Sequence, residues 1–511
     1  MFEKCYKCQG GLKCQHDYAS LKSGHWWEWR NVTHKDLYRK FISNLLKSSP
    51  TLDASSVKFI YPIPIPYKCP TEESCKGDLD SPCADGYGGP LCAVCSSGYY
   101  KQFQTCKKCA TKTWMLAQLL IIAAIFLIIT AVLVRTGKRK TEKEGGQPLI
   151  DVLLIKLKIV IGFYQVTYGL LQTFSYIKWP GSLQIIAKYS GILQMDVLQV
   201  APIHCLFTGL KVDAFGSLFA MMLLNSFVIV FSVVAYGIRK VIILRDQNTE
   251  DTEKLRNISG TKEFVYRNVF FFLYVTYLNT CSKVVNVLPL NCRILCRDTK
   301  EEFCSNFMRA DYSIKCQGTQ YNHLLIVTYV SAAYVVALPV ISFVAIWKQQ
   351  RLATTDAATP RDSGRGKEMI TGLRFLFENY SPRSWYWELV EMSRKVILTS
   401  GLILVGQESR SYIGLAWVLA GMYGMLFAWV KPIQDSTDNR LMTISLAVTV
   451  VNLGVGAVSR IPAEQIEANS TNSYTDAILF RILIIGANTL VIGFLVGKIV
   501  LQLLNKHVLI Y

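Results

Sequence analysis

Charged residues are scarce in this chain: they make up 18% of its 511 residues, whereas hydrophobic residues make up 51%. About a quarter of the residues in soluble domains are charged, so this composition indicates a membrane protein rather than a soluble globular one. Acidic residues are fewer than basic residues, and the formal net charge is +19. The cations stand in short groups beside apolar runs, as they do at the ends of membrane helices. We therefore do not expect the protein to bind nucleic acid.

Recognisable catalytic motifs are also missing. The sequence has no H-E-x-x-H, no G-x-S-x-G, no phosphate-binding glycine loop and no paired carboxylates at catalytic spacing. Its six histidines are scattered along the chain. We therefore predict that the protein is not an enzyme and holds no cofactor or metal.

A signal peptide is missing as well, since the opening MFEKCYKCQG has no apolar core of the required length. Cysteines, in contrast, are plentiful: there are 16, and ten of them precede residue 110. Such clustering favours disulfides in an oxidising compartment. An oxidised N-terminal domain must cross the membrane, so we expect that the sequence is a fragment or that its true start lies upstream.

The spacing of the early cysteines leaves two chemistries open at the start of the chain. Cys5, Cys8, Cys14 and His16 can supply four zinc ligands, although the further cysteines of this segment favour ordinary disulfides. Nearer the first apolar run, Cys83–Cys92 and Cys95–Cys106 are the local pairings. A segment this small has almost no core, so crosslinks must supply its stability.

Apolar segments of membrane-spanning length recur along the chain. We predict about nine spans, at 114–134, 152–176, 214–238, 267–289, 324–347, 386–405, 411–430, 441–459 and 476–503. The cations that follow the first span place its end in the cytoplasm. Alternation then puts the N-terminus outside and the C-terminus inside, with a cytoplasmic linker at 348–385.

Two kinds of residue fit this topology. The helix count places the segment that carries Cys292, Cys296, Cys304 and Cys316 outside, where disulfides can form. The count does not use these cysteines, so they are an independent check on it. The sequons at Asn31 and Asn469 also fall outside, which makes both candidate glycosylation sites.

Polar residues inside the predicted spans are the candidate functional residues, because each is costly in lipid unless it is paired or hydrated. Glu388, Glu391 and Lys395 enter the sixth span. They form either an ion or lipid-headgroup site, or an interfacial anchor with an ion pair four residues apart. The second span offers Gln165 and Gln172 on one face, where they either join two helices or line a polar path. At its start, we expect Lys156 and Lys158 to extend to the inner membrane surface.

The segment CADGYGGPLCAVCSSGYYKQFQTC (83–106) resembles the last loops of laminin-type EGF modules and the cysteine-rich repeats of ephrin-receptor-like ectodomains. Three further segments resemble a family of large multipass proteins of protists and invertebrates, which carry such an ectodomain before a region similar to the C-terminal part of TRP channels. These segments are LKIVIGFYQVTYGLLQTFSYIKWP (157–180), FMRADYSIKCQGTQY (307–321) and FENYSPRSWYWELVEMSRKVILTSGLI (377–403). By analogy, the resemblance implies cation conduction.

The expected fold is therefore an all-α polytopic membrane protein with a small disulfide-rich, EGF-like extracellular domain. That domain covers 1–112, with its EGF/laminin-like loops at 69–109, and the transmembrane domain covers 113–511. We expect a channel or transport-type protein, most simply of the plasma membrane, with the ectodomain as sensor or cap. A cell-surface receptor or adhesion protein and a lipid scramblase or lipid transporter are the alternatives. The expected partners are membrane lipids, a transported ion or lipid, and an extracellular ligand, while the oligomeric state stays open.

Overall fold

The structure is a computed structural model of the chain. It describes residues 8, 10–15, 18–46, 59–102, 105–121, 124, 149–174, 177, 179–193, 203–206, 213–245, 250–298, 300–355, 373, 376–405, 410–459, 485–491, 493 and 496–497. The chain forms two compact units. The disulfide unit comprises residues 1–115, 202–216 and 286–328, and the helical unit comprises residues 116–201, 217–285 and 329–511.

The described part of the disulfide unit contains short antiparallel hairpins, the helix Val32–Leu46 and several short helical turns. Its strands pair as β1–β2, β3–β4, β5–β6, β7–β8 and β9–β10. Their bounds are Leu12–Gln15 (β1), Tyr18–Leu21 (β2), His25–Trp26 (β3), Tyr67–Lys68 (β4), Tyr87–Gly88 (β5), Val94–Cys95 (β6), Tyr99–Gln102 (β7), Thr105–Lys108 (β8), Cys292–Cys296 (β9) and Cys304–Met308 (β10). Strands this short bury little apolar surface, so the hairpins need covalent crosslinks to hold them together.

Helix α1 (Val32–Leu46) packs on the first hairpin of the disulfide unit. Asn31 Oδ1 accepts a hydrogen bond from the His34 amide at 2.8 Å, which caps the first turn. Tyr38 lies almost fully buried on the inner face of the helix. Its hydroxyl donates to the Ala19 carbonyl and accepts from the Ala19 amide, both at 2.9 Å. Tyr38 therefore fixes α1 to β2.

Seven disulfides hold the described part of this unit. They are Cys8–Cys14, Cys69–Cys75, Cys83–Cys92, Cys95–Cys106, Cys109–Cys205, Cys292–Cys316 and Cys296–Cys304. Cys109–Cys205 joins positions 96 residues apart, whereas the others close short loops. The unit thus extends beyond the predicted domain 1–112, because it also includes residues 202–216 and 286–328.

Long helices follow α1 along the chain. Their bounds are Leu149–Thr173 (α2), Gly181–Leu193 (α3), Ala214–Arg245 (α4), Asp251–Val287 (α5), Thr319–Thr355 (α6), Trp387–Val396 (α7), Arg410–Val430 (α8) and Ser436–Ser459 (α9). A π-helix at Ile397–Gly401 and one further turn at Leu402–Val405 continue α7. The main apolar core of the helical unit joins α2, α7, α8 and α9 through Phe163, Trp387, Phe427 and Leu446.

Within the described residues, four helices are long and apolar enough to cross a membrane. They cover Ala214–Arg245, Tyr321–Lys348, Tyr412–Val430 and Ser436–Val458. These correspond to the predicted third, fifth, seventh and eighth spans. The first predicted span (114–134) and the ninth (476–503) lie mostly outside the described residues. The count of nine therefore stays a prediction.

The structure describes parts of both ends of the predicted linker at 348–385, while residues 356–372 lie outside the described residues. α6 continues to Thr355, and Leu373 and Leu376 are buried against Ala345 and Ile346 of α6. A short turn at Pro382–Ser384 then leads into α7. Helix α6 therefore extends past its apolar part, and residues near the end of the predicted linker pack against it. The cytoplasmic position of the linker stays a prediction.

Candidate functional site

Helix α7 carries four charged side chains, and all of them are buried. Glu388, Glu391, Arg394 and Lys395 are 3%, 3%, 8% and 7% exposed. Their spacing of three and four residues brings Arg394 and Lys395 next to Glu391 on one side of the helix. Side chains at an exposed membrane interface would remain open to solvent. The burial differs from that expected of an exposed interfacial anchor, which is one of the two hypotheses from the sequence.

Glu388 accepts hydrogen bonds from side chains of α2 and α5 and from Tyr380, which precedes α7. Lys158 Nζ of α2 lies 2.6 Å from Glu388 Oε2, and the Tyr380 hydroxyl lies 2.8 Å from the same oxygen. Tyr274 of α5 donates its hydroxyl to Glu388 Oε1 at 2.5 Å and accepts from Lys395 Nζ at 3.2 Å. Tyr274 therefore links Glu388 to Lys395, which are the first and last of the charged side chains of α7.

Glu391 is paired mainly with Arg394, and less closely with Lys395. Arg394 Nε and Nη2 bind the two carboxylate oxygens at 2.9 and 2.5 Å, in the two-pronged geometry that suits a guanidinium. Lys395 Nζ lies 3.7 Å from Glu391 Oε1. The guanidinium also lies 5.0 Å from the ring centre of Tyr423. The predicted ion pair between Glu391 and Lys395, four residues apart, is present. The pair between Glu391 and Arg394, three residues apart, has the shorter distances.

We call the following residues the charged cluster: Lys158, Tyr274, Tyr380, Glu388, Glu391, Arg394 and Lys395. They line a small cavity of about 20 Å³, together with apolar and hydroxyl side chains of α2 and α9. A cavity of this size has room for about one water molecule. The cluster holds three basic and two acidic side chains.

A second buried ion pair involves Lys156, which is two residues from Lys158 on α2. Lys156 is 1% exposed, and its Nζ contacts Asp438 Oδ1 of α9 at 2.5 Å and Asp435 Oδ2 at 3.8 Å. The expectation that Lys156 and Lys158 extend to a membrane surface is therefore wrong. Both lysines point inward because carboxylates from distant parts of the chain accept their hydrogen bonds.

The π-helix that follows α7 is packed closely against α2. Thr173 Oγ1 donates to the Thr399 carbonyl at 2.6 Å, and Thr399 Oγ1 donates to the Lys395 carbonyl at 2.7 Å. Gly169 of α2 faces Thr399, where a Cβ atom would lie 2.5 Å from Thr399 Cγ2. π-helices are rare and are frequently found at functional sites. Here one follows directly after the charged face.

The two candidate glutamines of α2 lie outside the charged cluster and do not form a site together. Gln165 is buried and donates to the Val275 carbonyl of α5 at 2.9 Å. Gln172 donates to the Tyr168 hydroxyl within its own helix at 2.8 Å. Gln165 therefore contributes to the α2–α5 contact, as the first of the two sequence hypotheses proposes. Glu388, Glu391 and Lys395 are the candidates that the structure brings together.

Sequence reasoning missed several members of the charged cluster. The sequence does not mark Tyr274, Tyr380 or Arg394 as candidates, and it places Lys158 at the membrane surface. Helical spacing places Arg394 beside Glu391, so that contact has a signal in the sequence. Tyr274 lies 114 residues from Glu388 along the chain, and no local pattern connects the two.

The cysteine and asparagine candidates of the disulfide unit take the following positions. The structure pairs Cys83 with Cys92 and Cys95 with Cys106, as the short loops favour. Cys292, Cys296, Cys304 and Cys316 also form disulfides, across and beside the β9–β10 hairpin. The Cys8–Cys14 disulfide removes two thiolates from the zinc alternative, and Cys5 and His16 lie outside the described residues. Asn31 is exposed, whereas Asn469 lies outside the described residues.

Metal-ligating groups are not gathered anywhere in the part of the chain that the structure describes. No set of three or more His, Cys, Asp or Glu side chains there is arranged to hold a metal ion. The charged cluster itself offers only two carboxylates, and both already accept hydrogen bonds from cations. Among the described residues, the buried donor Arg394 Nη1 of the cluster has no hydrogen-bond partner.

Comparison with known proteins gives one local match. Residues 67–110 match a family described as a domain of unknown function, DUF7630. This segment contains β4 to β8 and three of the disulfides, so the match concerns the disulfide unit alone. No curated protein matches the chain. No solved structure matches it either.

Proposed function

We propose that the protein is a multipass channel or transport-type protein of the plasma membrane and that the charged cluster is its polar site. The observation that carries this proposal is the burial of five charged side chains among helices of which several are apolar enough to cross a membrane. Ionisable residues inside membrane helices are rare and costly, and they mark ion and substrate paths. The resemblance to multipass proteins with a TRP-like membrane region supports the same class.

Energetics support a functional role for the cluster. Removing a charged group from water costs several kcal/mol, and a buried ion pair recovers this cost only with excellent geometry. Apolar residues of similar size often stabilise a fold as well or better. A network of five charges, such as the one around Glu388 and Glu391, is therefore a poor solution for packing alone, but it suits a site that handles ions.

The distribution of disulfides supports the proposed topology. All seven lie in one unit, which gathers 1–115, 202–216 and 286–328. These are the segments that the alternation of spans assigns to the outside, and disulfides belong to an oxidising compartment. The disulfide unit would then be the extracellular sensor or cap. Within the described residues, the one free cysteine is Cys281, which lies buried in α5 of the helical unit.

A lipid scramblase or lipid transporter is the second candidate, and a groove in the helical unit favours it. The groove is lined by Phe343, Trp385, Tyr386, Leu389, Val390 and Ser393 and has a volume of about 410 Å³. Phe343 and Trp385 stack there with their ring centres 5.6 Å apart. This groove is mainly apolar and far larger than the charged cavity, so it suits an acyl chain better than an ion.

Reconstitution separates these functions. The full-length protein is placed in liposomes that carry an ion-sensitive dye, and in parallel in liposomes that carry a fluorescent lipid. The proposal expects ion flux well above that of protein-free liposomes, without rapid exchange of the labelled lipid between leaflets. Lipid exchange without ion flux would favour the scramblase, and neither activity would favour a receptor or adhesion protein.

A further inference from the structure

Asparagine sequons occur in both units of the protein. A sequon is the pattern N-x-S/T in which x is not proline, and it is the acceptor for an N-linked glycan in secreted and surface proteins. The described residues contain three sequons, which begin at Asn31, Asn257 and Asn379. Asn31 belongs to the disulfide unit, whereas the other two belong to the helical unit. The structure gives the three sequons different surroundings.

The first sequon lies on open surface at the start of α1. Its three residues, Asn31, Val32 and Thr33, are all exposed to solvent. Asn31 Oδ1 is occupied, because it accepts the hydrogen bond from the His34 amide at 2.8 Å. The side-chain nitrogen Nδ2 of Asn31 has no hydrogen-bond partner among the described residues. The atom that would carry a glycan is therefore the accessible one.

The helix cap and a glycan use different atoms of Asn31. Glycan transfer breaks the bond between C1 of the first sugar and the pyrophosphate of a lipid-linked oligosaccharide donor. The new bond joins this C1 to Nδ2, which loses one proton. Oδ1 remains a carbonyl oxygen and still accepts from the His34 amide. The modification therefore leaves the first turn of α1 capped.

The two sequons of the helical unit are less suitable acceptors. Asn257 is exposed, but it lies within α5, and Ser259 of its sequon is half-buried. The middle residue of the third sequon, Tyr380, is 6% exposed, and Pro382 follows that sequon directly. The proposed alternation of spans also assigns both to the cytoplasmic side. Among the described sequons, that of Asn31 alone joins an open surface to the disulfide unit.

We propose that Asn31 carries an N-linked glycan in the mature protein. The disulfides around this residue belong to an oxidising compartment, and the secretory lumen in which they form is also where glycans are transferred. The glycan extends into solvent from the first turn of α1. This inference shares with the proposed function only the outside position of the disulfide unit, and it does not depend on transport.

The experiment maps glycans on the full-length protein made in eukaryotic cells, in a preparation in which the Cys95–Cys106 disulfide is fully formed. The denatured protein is treated with a peptide N-glycosidase in water labelled with heavy oxygen, which converts a glycosylated asparagine to labelled aspartate. Mass spectrometry of its peptides then reports each sequon separately. We expect labelled aspartate at Asn31 in most molecules and unmodified asparagine at Asn257.

Three variants make the test specific to this sequon. Asn31→Asp and Thr33→Ala each destroy the sequon but keep a side chain that can cap α1, so each should lose the mass of one glycan. Thr33→Ser keeps the sequon and should keep the glycan. Hydrogen exchange of residues 32–46 checks that α1 remains folded in all three variants, so that a lost glycan does not reflect a lost helix.

The outcomes separate this inference from the proposed function. Unmodified Asn31 in protein with the Cys95–Cys106 disulfide would overturn the glycan site, as would an unchanged glycan mass in Asn31→Asp. A glycan at Asn31 without ion flux in liposomes would support the glycan site and reject transport. Ion flux through protein whose Asn31 is unmodified would reject the glycan site and retain transport.

Discussion

Glu391 is the residue whose removal should disturb the charged cluster most. Changing it to Gln leaves the buried Arg394 guanidinium without its carboxylate, and breaking a buried pair in this way costs about 3–5 kcal/mol. We expect the free energy of unfolding of Glu391→Gln in detergent to fall by that amount. Glu253→Gln, at an exposed position of α5, should change it by less than about 0.5 kcal/mol. Equal values for the two variants would show that the buried pair is not formed.

Asp80 provides a residue-scale prediction in the disulfide unit. Partial burial raises the pKa of its carboxyl group, but the hydrogen bonds from Lys35 and Arg39 of α1 outweigh this effect and hold the pKa below its ordinary value. A lowered carboxyl pKa stabilises the folded state above the ordinary value of 3.8, and the contribution is lost as the pH falls through the folded-state pKa.

We therefore expect α1 to lose protection when the pH is lowered below the ordinary pKa of Asp80. Hydrogen exchange of residues 32–46 in the full-length protein, corrected for the intrinsic pH dependence of exchange, measures this loss. Asp80→Asn should already show the weaker protection at neutral pH and should change less on acidification. An identical pH response in the two proteins would contradict the role of Asp80.

The acidic and basic members of α7 were predictable from the sequence, whereas their environment was not. Charges at Glu388, Glu391 and Lys395 are visible because they interrupt an otherwise apolar segment. Sequence alone leaves an ion or lipid-headgroup site and an interfacial anchor open, since both hypotheses fit the same spacing. Lys158, 230 residues away in the chain, contacts Glu388 and thereby contributes to the buried cluster. Such a contact depends on tertiary packing, which local patterns do not encode.

At the scale of elements, the contact between α2 and the π-helix depends on a glycine. Gly169→Ala places a Cβ atom 2.5 Å from Thr399 Cγ2 and 2.6 Å from Thr399 Cβ, both on the adjoining π-helix. The helices must separate to accommodate it. We expect the free energy of unfolding to fall by about 1–3 kcal/mol, as in other overpacked cores.

The matched control for Gly169 is Gly260, which also lies in a helix but has no atom within 4 Å of the position that a Cβ would occupy. Gly260→Ala should leave the free energy of unfolding unchanged or raise it by up to about 1 kcal/mol, because alanine favours helix. Thermal unfolding of the two variants in the same detergent makes the comparison. Equal stability of Gly169→Ala and the wild type would contradict the close packing.

Hydropathy predicts where the helices lie better than it predicts where they end or which residues they pack against. The predicted spans 214–238 and 324–347 fall within α4 and α6, but both helices run longer. Apolar runs mark where lipid or core is expected, whereas a helix continues until its backbone loses its hydrogen bonds. Gly456 illustrates the other limit: a Cβ atom at this position would collide with the ring of Trp179, so only glycine permits this close packing, and the sequence does not name that partner.

At the scale of the whole molecule, the Cys109–Cys205 disulfide is the most informative crosslink, because it joins two segments that the sequence separates by 96 residues. Sequence alone predicts local pairings and offers no partner for Cys205. We expect mass spectrometry of the non-reduced protein to find a peptide pair linked through these cysteines. Cys205→Ser should remove this pair and leave Cys83–Cys92 intact. Recovery of Cys205 as a free thiol would contradict the composition of the disulfide unit.

The most direct test of the account is ion flux through liposomes that contain equal amounts of folded wild-type, Glu388→Gln or Glu253→Gln protein. Glu388 accepts hydrogen bonds from Lys158, Tyr274 and Tyr380, so the amide removes a negative charge from the centre of the cluster. If the charged cluster is the transport site, Glu388→Gln should change the flux or its ion selectivity more than about tenfold, which corresponds to a change above about 1.4 kcal/mol. Glu253→Gln should match the wild type. Wild-type flux and selectivity in the Glu388→Gln protein would contradict the central claim.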